Sequence, residues 1–502
     1  MKIWFTEHNW PWQPERYRFS TEQMLLTLFP GEKPEYPEVL PKSIDNEENG
    51  VMIALSRGAK QTSVSVLVKR NGRYRNGVVR FPSDKLDEPE TAVYHTVSHA
   101  LKQAFYKAGT ALLGYELPWG SLTGVRPVKL PTRAMLAGKT AKQAEKELRD
   151  VYHVSPSRAA LAVECAQAAL DVNRTLTAGS LALYIGIPFC PTRCAYCSFI
   201  SSDVKGALAL VEPYVDALCR EIELAGTLLR ERGLFIGSAY MGGGTPTTLT
   251  AEQLDRVLNA VERCLPVERC GEFTVEAGRP DTISADKLKV LRDHGVHRIS
   301  INPQTMEDNV LRVIGRAHTA REIEQAMELA QKHFGGLVNM DLIAGLPSDT
   351  LDGFGRTLER VLAMGPANIT VHTLALKKGS RLTEEGGVLC GPEEVEAMLS
   401  LASERLRGAD YGPYYLYRQK YMSGSFENVG WTVQGAMCAY NIVMMEELQT
   451  VLSLGAGGVT KLVDPEQRKI VRLTNPKYAK EYLESWEKIA ESKRAALGGL
   501  LL

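Results

Sequence analysis

An α/β fold organised around a partial (β/α)6 barrel is the architecture this sequence predicts, and three observations lead to it. Short apolar runs at 181–187, 235–242, 272–276, 297–301, 338–343 and 368–373 alternate with amphipathic stretches near 206–231, 251–264, 284–294, 319–334 and 351–364. Consecutive units of this kind imply parallel strands joined by right-handed crossovers. They stop short of the eight units of a closed barrel, so one side stays open to a large substrate. Most of the strands run into a group of glycines, carboxylates, amides or cysteines, at the edge where α/β folds place their chemistry. The rhythm is missing on both sides of 176–375. This sets off an N-terminal α+β domain at 1–175 and a mainly helical C-terminal domain, covering the substrate, at 376–502.

Size and composition agree with several domains. At 502 residues the chain exceeds one ordinary core. Its 44% hydrophobic and 24% charged content is that of a soluble globular protein. The 59 basic and 59 acidic residues cancel, and nothing global points to nucleic acid or to an anionic membrane. No apolar run is long enough for a membrane span, and the first eight residues lack the apolar stretch of a signal peptide. Nine cysteines, three of them tightly clustered, do not read as a disulfide framework, so a reducing cytoplasm is the expected location.

In the N-terminal region, 51–56 and 62–69 read as strands, with a turn at Asn71-Gly72 beside the second. Residues 90–113 have helical apolar spacing, and so do the more charged residues 141–174. The Gly- and Pro-rich stretch Pro118–Pro127 is a fixed loop: either a packed turn, or a lip that presents Arg126 to a carboxylate. His95 and His99 share one helix face, but no third metal ligand accompanies them.

The chemistry starts after the first barrel strand. Cys190, Cys194 and Cys197 stand in C-x3-C-x2-C spacing. Three thiolates suit an iron–sulfur cluster, zinc or Cu(I). Zinc would be left one ligand short, whereas a [4Fe–4S] cluster held by three cysteines keeps one iron free for another ligand. Later strand ends add complementary groups. Met241-Gly242-Gly243-Gly244-Thr245-Pro246 offers close backbone approach. Glu276 is a buried strand-end carboxylate that calls for a cationic partner. Gln304 and Asp341 can hydrogen-bond hydroxyls, and Arg316 can meet a carboxylate. Together they describe a ligand with an ammonium, a carboxylate, a ribose diol and an aromatic base. S-adenosylmethionine (SAM) has all four.

These motifs resemble those of radical SAM enzymes, and most closely the oxygen-independent coproporphyrinogen III oxidase (dehydrogenase) family. The resemblance rests on Tyr184–Phe199, Gly242–Pro246, Thr274–Glu276, Arg298–Gln304, Gly315–His318 and Asp341–Pro347. Outside the barrel, Pro118–Pro127, Pro413–Lys420 and Glu427–Gly430 resemble the HemZ-like branch. The resemblance implies a [4Fe–4S] cluster on Cys190, Cys194 and Cys197, and a SAM site. Gly243, Gly244, Thr245 and Glu276 would surround the methionine amino group and Arg316 its carboxylate. Gln304 and Asp341 would bind the ribose, and the backbone near Phe199 and Ala344 the adenine. Tyr184 would stand near the sulfonium and substrate as a catalytic residue. The implied reaction converts two propionates of coproporphyrinogen III to vinyls, giving protoporphyrinogen IX. Each round begins with hydrogen abstraction by a 5′-deoxyadenosyl radical and ends with loss of CO2 and one electron. A low-potential donor such as flavodoxin or ferredoxin would supply electrons, and Arg126 and Arg418 are candidates for the substrate carboxylates. Related branches imply two alternatives, anaerobic modification or degradation of haem and a haem chaperone that keeps the cluster. Gly186 stands where the family commonly has His, Asn302-Pro303 where many members have Gly-Val, and Ser198-Phe199 where some have a further cysteine.

Overall fold

A computed structural model describes residues 1–6, 10–41, 43–197, 202–375, 380–382, 390–419, 426–464 and 469–498. The chain divides into two compact units, Met1–Val163 and Glu164–Leu502.

The first unit contains β1 (Lys2–Phe5), α1 (Arg18–Leu28), β2 (Gly50–Arg57), β3 (Gln61–Arg70), β4 (Arg73–Pro82), α2 (Glu90–Leu113), α3 (Lys129–Leu136), α4 (Ala141–Tyr152) and the start of α5 (Pro156–Thr175). Its sheet runs β1-β2-β3-β4, parallel at the first pair and antiparallel after it. Alternate residues Val64, Val66 and Val68 are buried in a core shared with Leu25, Leu101 and Phe105 of the helices. Asn71 and Gly72 have φ of 50° and 75° and close a two-residue hairpin, since two left-handed residues match the strand twist. The strand after this turn was not expected, because its exposed Arg-Tyr-Arg-Asn start hides the alternation. At Gly77 a Cβ would lie 2.0 Å from the Ala104 carbonyl, so α2 rests directly on the β4 backbone. Pro118–Pro127 contains a packed turn: Trp119 is buried, and Gln103 Nε2 donates to Ser121 Oγ at 2.6 Å. His99 packs edge-on against Tyr152.

The second unit is built on one sheet of eleven strands. Its first half contains β5 (Ser180–Ile187), β6 (Phe189–Cys190), β7 (Ser202–Asp203), α6 (Val204–Glu231), β8 (Phe235–Gly243), α7 (Ala251–Cys264) and β9 (Glu272–Glu276). Then come α8 (Ala285–Asp293), β10 (Arg298–Ser300), α9 (Asp308–Val313), α10 (Ala320–His333), β11 (Leu337–Ala344), α11 (Leu351–Met364) and β12 (Asn368–Thr373). Strands β5, β8, β9, β10, β11 and β12 are adjacent in chain order and parallel, the six strands of the partial barrel. Each lies within one residue of its expected bounds at either end. Side-chain N-caps begin the crossover helices. Thr250 and Thr319 form capping boxes with Gln253 and Glu322, while Ser284 and Thr350 each accept a backbone N–H.

The C-terminal region has the expected helices and adds five strands that the sequence did not suggest. It has α12 (Pro392–Gly408), β13 (Gly412–Arg418), β14 (Glu427–Thr432), α13 (Ala439–Glu446), β15 (Val451–Gly455), β16 (Val459–Asp464), β17 (Lys469–Thr474), α14 (Ala479–Glu484) and α15 (Trp486–Gly498). Strand β15 adds parallel to β5, β16 and β17 follow it, and β14 and β13 extend the other edge beyond β12. Both edges of the six-stranded core are thereby covered, and 376–502 does not stand apart as a helical cap. Helix α13 fills the barrel interior at the end where the strands begin. Glu272 accepts the Ala439 N–H at 3.1 Å, Arg298 Nη2 donates to the Ala436 carbonyl at 2.9 Å, and the Tyr440 ring stacks on Tyr240 at 4.8 Å.

Candidate active site

The opposite end of the barrel, where the strands finish, carries the polar groups. Strand register places them side by side: Tyr184 is level with Tyr240, Gly186 with Gly242, and Glu276 with Ser300. From Gly242 onward β8 follows the chain leading to the cysteines. The Gly244 N–H donates to the Ile187 carbonyl and the Thr245 N–H to the Phe189 carbonyl, both at 2.7 Å. A Cβ on Gly244 would lie 2.4 Å from the Phe189 carbonyl, so this approach requires glycine.

Glu276 lies over Gly242, where a Cβ would meet its carboxyl carbon at 2.8 Å. It accepts from the Tyr240 hydroxyl at 2.7 Å and from the Gly243 N–H at 3.2 Å. Burial pushes its carboxyl up to about 7; the Tyr240 hydrogen bond opposes this, and the Asp341 charge adds to it. It has no cationic partner among the described residues, which suits it to a ligand's ammonium. For Asp341, burial is outweighed by His372, Asn339 and Thr370, and its carboxyl stays below the usual range. Asn339 Nδ2 donates to it at 2.9 Å, while His372 Nε2 stands 3.7 Å away and His372 Nδ1 lies 3.3 Å from the Tyr417 hydroxyl.

Gln304 adopts φ 68° and bridges to β11, its N–H donating to the Asp341 carbonyl at 2.9 Å. This turns its side chain inward, and Oε1 is buried without a partner among the described residues. The Arg316 guanidinium donates to the Asn302 carbonyl at 2.7 Å and to the Tyr196 hydroxyl at 3.1 Å, and its Nε is buried without a partner among the described residues. The Ala344 carbonyl accepts the Leu374 N–H at 3.0 Å. Tyr184 stacks parallel to Tyr240, and burial raises its phenol well above the usual range. Phe199 and Ser198 lie outside the described residues.

The cysteine loop is pinned to the barrel. The Ala195 N–H donates to the Ile314 carbonyl at 2.9 Å, just ahead of Arg316. All nine cysteines are free thiols. The three clustered sulfurs share one loop, although among the described residues no three His, Cys, Asp or Glu side chains form a metal-binding group. Hydrogen-bond donors reach Cys190 and Cys194: Thr245 Oγ1 is 3.6 Å from Cys190 Sγ, and Arg279 Nη1 is 3.4 Å from Cys194 Sγ. The sequence reading assigned no role to Arg279 or to Tyr240. An arginine three residues after Glu276, at the same strand end, was a usable signal for the first; Tyr240 emerges only from strand register. His318 is buried between positive charges, and desolvation with Arg316 and Arg279 pushes it down to about 3, so it is neutral. Arg418 is buried opposite Glu427 across the β13–β14 ladder, and burial lowers its guanidinium to about 10 against that carboxylate.

The space beside Gly186 leaves no room for a side chain. A Cβ there would lie 2.6 Å from the Ala456 carbonyl, because the turn after β15 occupies the position. The Tyr214 hydroxyl fixes this contact, donating to the Gly186 carbonyl at 2.6 Å and accepting the Ala456 N–H at 2.9 Å.

Comparison with known proteins agrees with this geometry. Residues 184–361 match the radical SAM superfamily. The oxygen-independent coproporphyrinogen-III oxidase-like protein HemZ of Bacillus subtilis is 36% identical over 448 residues, covering 88% of this chain and 89% of its own. The chain belongs to the HemZ-like branch of the radical SAM superfamily. This HemZ-like chain is also 26% identical to the heme chaperone HemW of Escherichia coli over 62% of its length and 78% of that protein's. Among solved structures, the radical SAM enzyme coproporphyrinogen III oxidase (HemN) of Escherichia coli superposes with a TM-score of 0.50 at 23% identity, covering 64% of this chain and 73% of the other. That likeness establishes the shared fold. The cofactors of this HemZ-like chain are those of its superfamily, a [4Fe–4S] cluster and SAM. The residues fit them: soft thiols with hydrogen-bond donors at Cys190 and Cys194, a glycine backbone open to close approach and, among the described residues, a carboxylate lacking a cation and an amide oxygen lacking a donor. No helix among the described residues is long and apolar enough to cross a membrane.

Proposed function

We propose that this HemZ-like chain is a radical SAM oxidoreductase of tetrapyrrole metabolism that converts coproporphyrinogen III propionates to vinyls. The observation that carries the proposal is the HemZ likeness, which spans nearly the whole of both chains. Cys190, Cys194 and Cys197 hold the cluster in this reading. When bound, the cluster and SAM supply a 5′-deoxyadenosyl radical, and the cofactors carry the difficult step. Glu276, braced by Tyr240, takes the methionine amino group, and the backbone of Gly243, Gly244 and Thr245 lines the same side. Arg316 offers its Nε to the methionine carboxylate. Gln304 and Asp341 receive the ribose, and the backbone near Ala344 the adenine. Tyr184 stands level with this cradle and orients the substrate as a neutral phenol. The apolar and aromatic filling beneath, with Tyr240 and Tyr440 at its centre, keeps water from the radical. A low-potential donor of the flavodoxin or ferredoxin type supplies electrons.

The test is anaerobic reconstitution followed by incubation with SAM, reductant and coproporphyrinogen III. 5′-Deoxyadenosine and CO2 should form together, and Cys194→Ala should abolish both along with the brown cluster chromophore. A colourless zinc protein would sink the reading. Tight haem binding with no SAM turnover would replace it with a chaperone role like that named for HemW, and turnover only with haem would indicate haem modification.

A further inference from the structure

We propose that Arg279 sets the reduction potential of the cluster through its contact with the Cys194 sulfur. The inference rests on the reading of Cys194 as a cluster ligand. The Arg279 side chain is 4% exposed, and its guanidinium is held on three sides. Nη1 donates to Cys194 Sγ at 3.4 Å, Nη2 to Thr192 Oγ1 at 2.7 Å, and Nε to Asp281 Oδ1 at 3.3 Å. Thr192 lies between Cys190 and Cys194 on the cysteine loop, so the planar fork grips the loop at two points. A flexible ammonium could not reproduce both contacts at fixed geometry.

Position follows from local structure. Arg279 ends the stretch after β9, directly before the turn at Pro280–Thr282, where its own carbonyl accepts from Thr282 Oγ1 at 2.8 Å. The backbone is therefore committed on one side and the guanidinium on the other. A buried cation donating to a ligand sulfur acts on the two redox states unequally. Reduction adds one negative charge to the cluster, and a fixed positive charge stabilises the more negative state in a poorly solvated site. Hydrogen bonds to cluster sulfurs and local net charge are recognised determinants of iron–sulfur potentials. Arg279 thus makes the cluster easier to reduce. Asp281, whose side chain is 31% exposed, partly offsets that charge from the outer side. The two residues should act with opposite sign.

The experiment compares the reconstituted full-length chain with Arg279→Gln, Arg279→Lys and Asp281→Asn. Iron and sulfide are quantified in each, and the midpoint potential is read by anaerobic redox titration followed by electron paramagnetic resonance without SAM. Arg279→Gln should lower the potential, Arg279→Lys should lower it less, and Asp281→Asn should raise it, all at wild-type iron content. An unchanged potential in an iron-replete Arg279→Gln protein overturns the proposal, and so does a shift of the same sign in all three variants. If Arg279→Gln fails to retain iron, the Lys and Asp281 variants decide by the same signs. Loss of iron from both Arg279 variants with an intact circular dichroism spectrum reduces Arg279 to a loop anchor and also overturns it. A wild-type protein that takes up no cluster at all overturns the ligand reading itself, which separates that failure from the others.

Discussion

Glu276 shows what burial does to one strand-end carboxylate. Burial lifts its carboxyl to about 7, and the Asp341 charge adds to the rise. A carboxyl raised above its unfolded value holds a proton in the folded state that the unfolded state has released. The ligand-free protein should therefore lose stability as pH rises from the ordinary glutamate value toward about 7, by linkage. Glu276→Gln should flatten that dependence in thermal melts run across this window. The same variant should bind SAM about ten- to a hundred-fold more weakly, the worth of a charge-assisted hydrogen bond of ~1.5–3 kcal/mol, as read by calorimetry. Gly186 makes the complementary point. Because the Ala456 carbonyl would sit 2.6 Å from a Cβ at this position, Gly186→His should destabilise the chain by about 1–3 kcal/mol through overpacking. A thermal midpoint equal to wild type would contradict that account.

At the scale of elements, the crossover helices owe their starting points to single side chains. Thr250 and Thr319 each accept the N–H three residues on, with Gln253 and Glu322 returning the bond. Thr250→Ala and Thr319→Ala should each cost about 1 kcal/mol. Their effects should add in the double variant, since the caps belong to different helices; denaturant titration provides the check. These helices were legible in the sequence because their apolar period and cap residues are local. Strand β4 was not, because its outward-facing residues are charged and its glycine is dictated by contact with α2. Strands β13 to β17 escaped for a related reason. They complete a sheet whose other strands lie far away in sequence, and their own runs are short or aromatic.

Across the second unit, a buried ionic network ties distant segments together. Glu221 on α6 accepts the Gly455 N–H at 2.7 Å, the Tyr482 hydroxyl at 2.6 Å and Asn475 Nδ2 at 2.9 Å. Lys493 on α15 lies 3.2 Å from the same carboxylate, and both side chains are almost wholly enclosed. The network fixes the turn after β15 that closes over Gly186, so α15 helps to shape the end of the barrel where the strands finish. Lys493→Met would leave Glu221 buried without its counter-charge and should cost about 3–5 kcal/mol. Adding Glu221→Gln should recover part of the loss, measured in the same denaturant series. None of these partners announced itself in the sequence, where Glu221 and Lys493 look like ordinary charges on amphipathic helices.

The sequence by itself determined the six βα units, the C-x3-C-x2-C loop and the strand-end glycines, carboxylates and amides, because periodicity and adjacency are written in neighbouring residues. Tertiary structure alone decided what those groups face. Register set Tyr240 and Gly242 beside Glu276, the fold carried Arg279 to the Cys194 sulfur, and a strand from the C-terminal region took the space beside Gly186. The physical reason is that each of these contacts joins residues tens to hundreds of positions apart. Strand pairing and burial decide such contacts, and no local pattern encodes them.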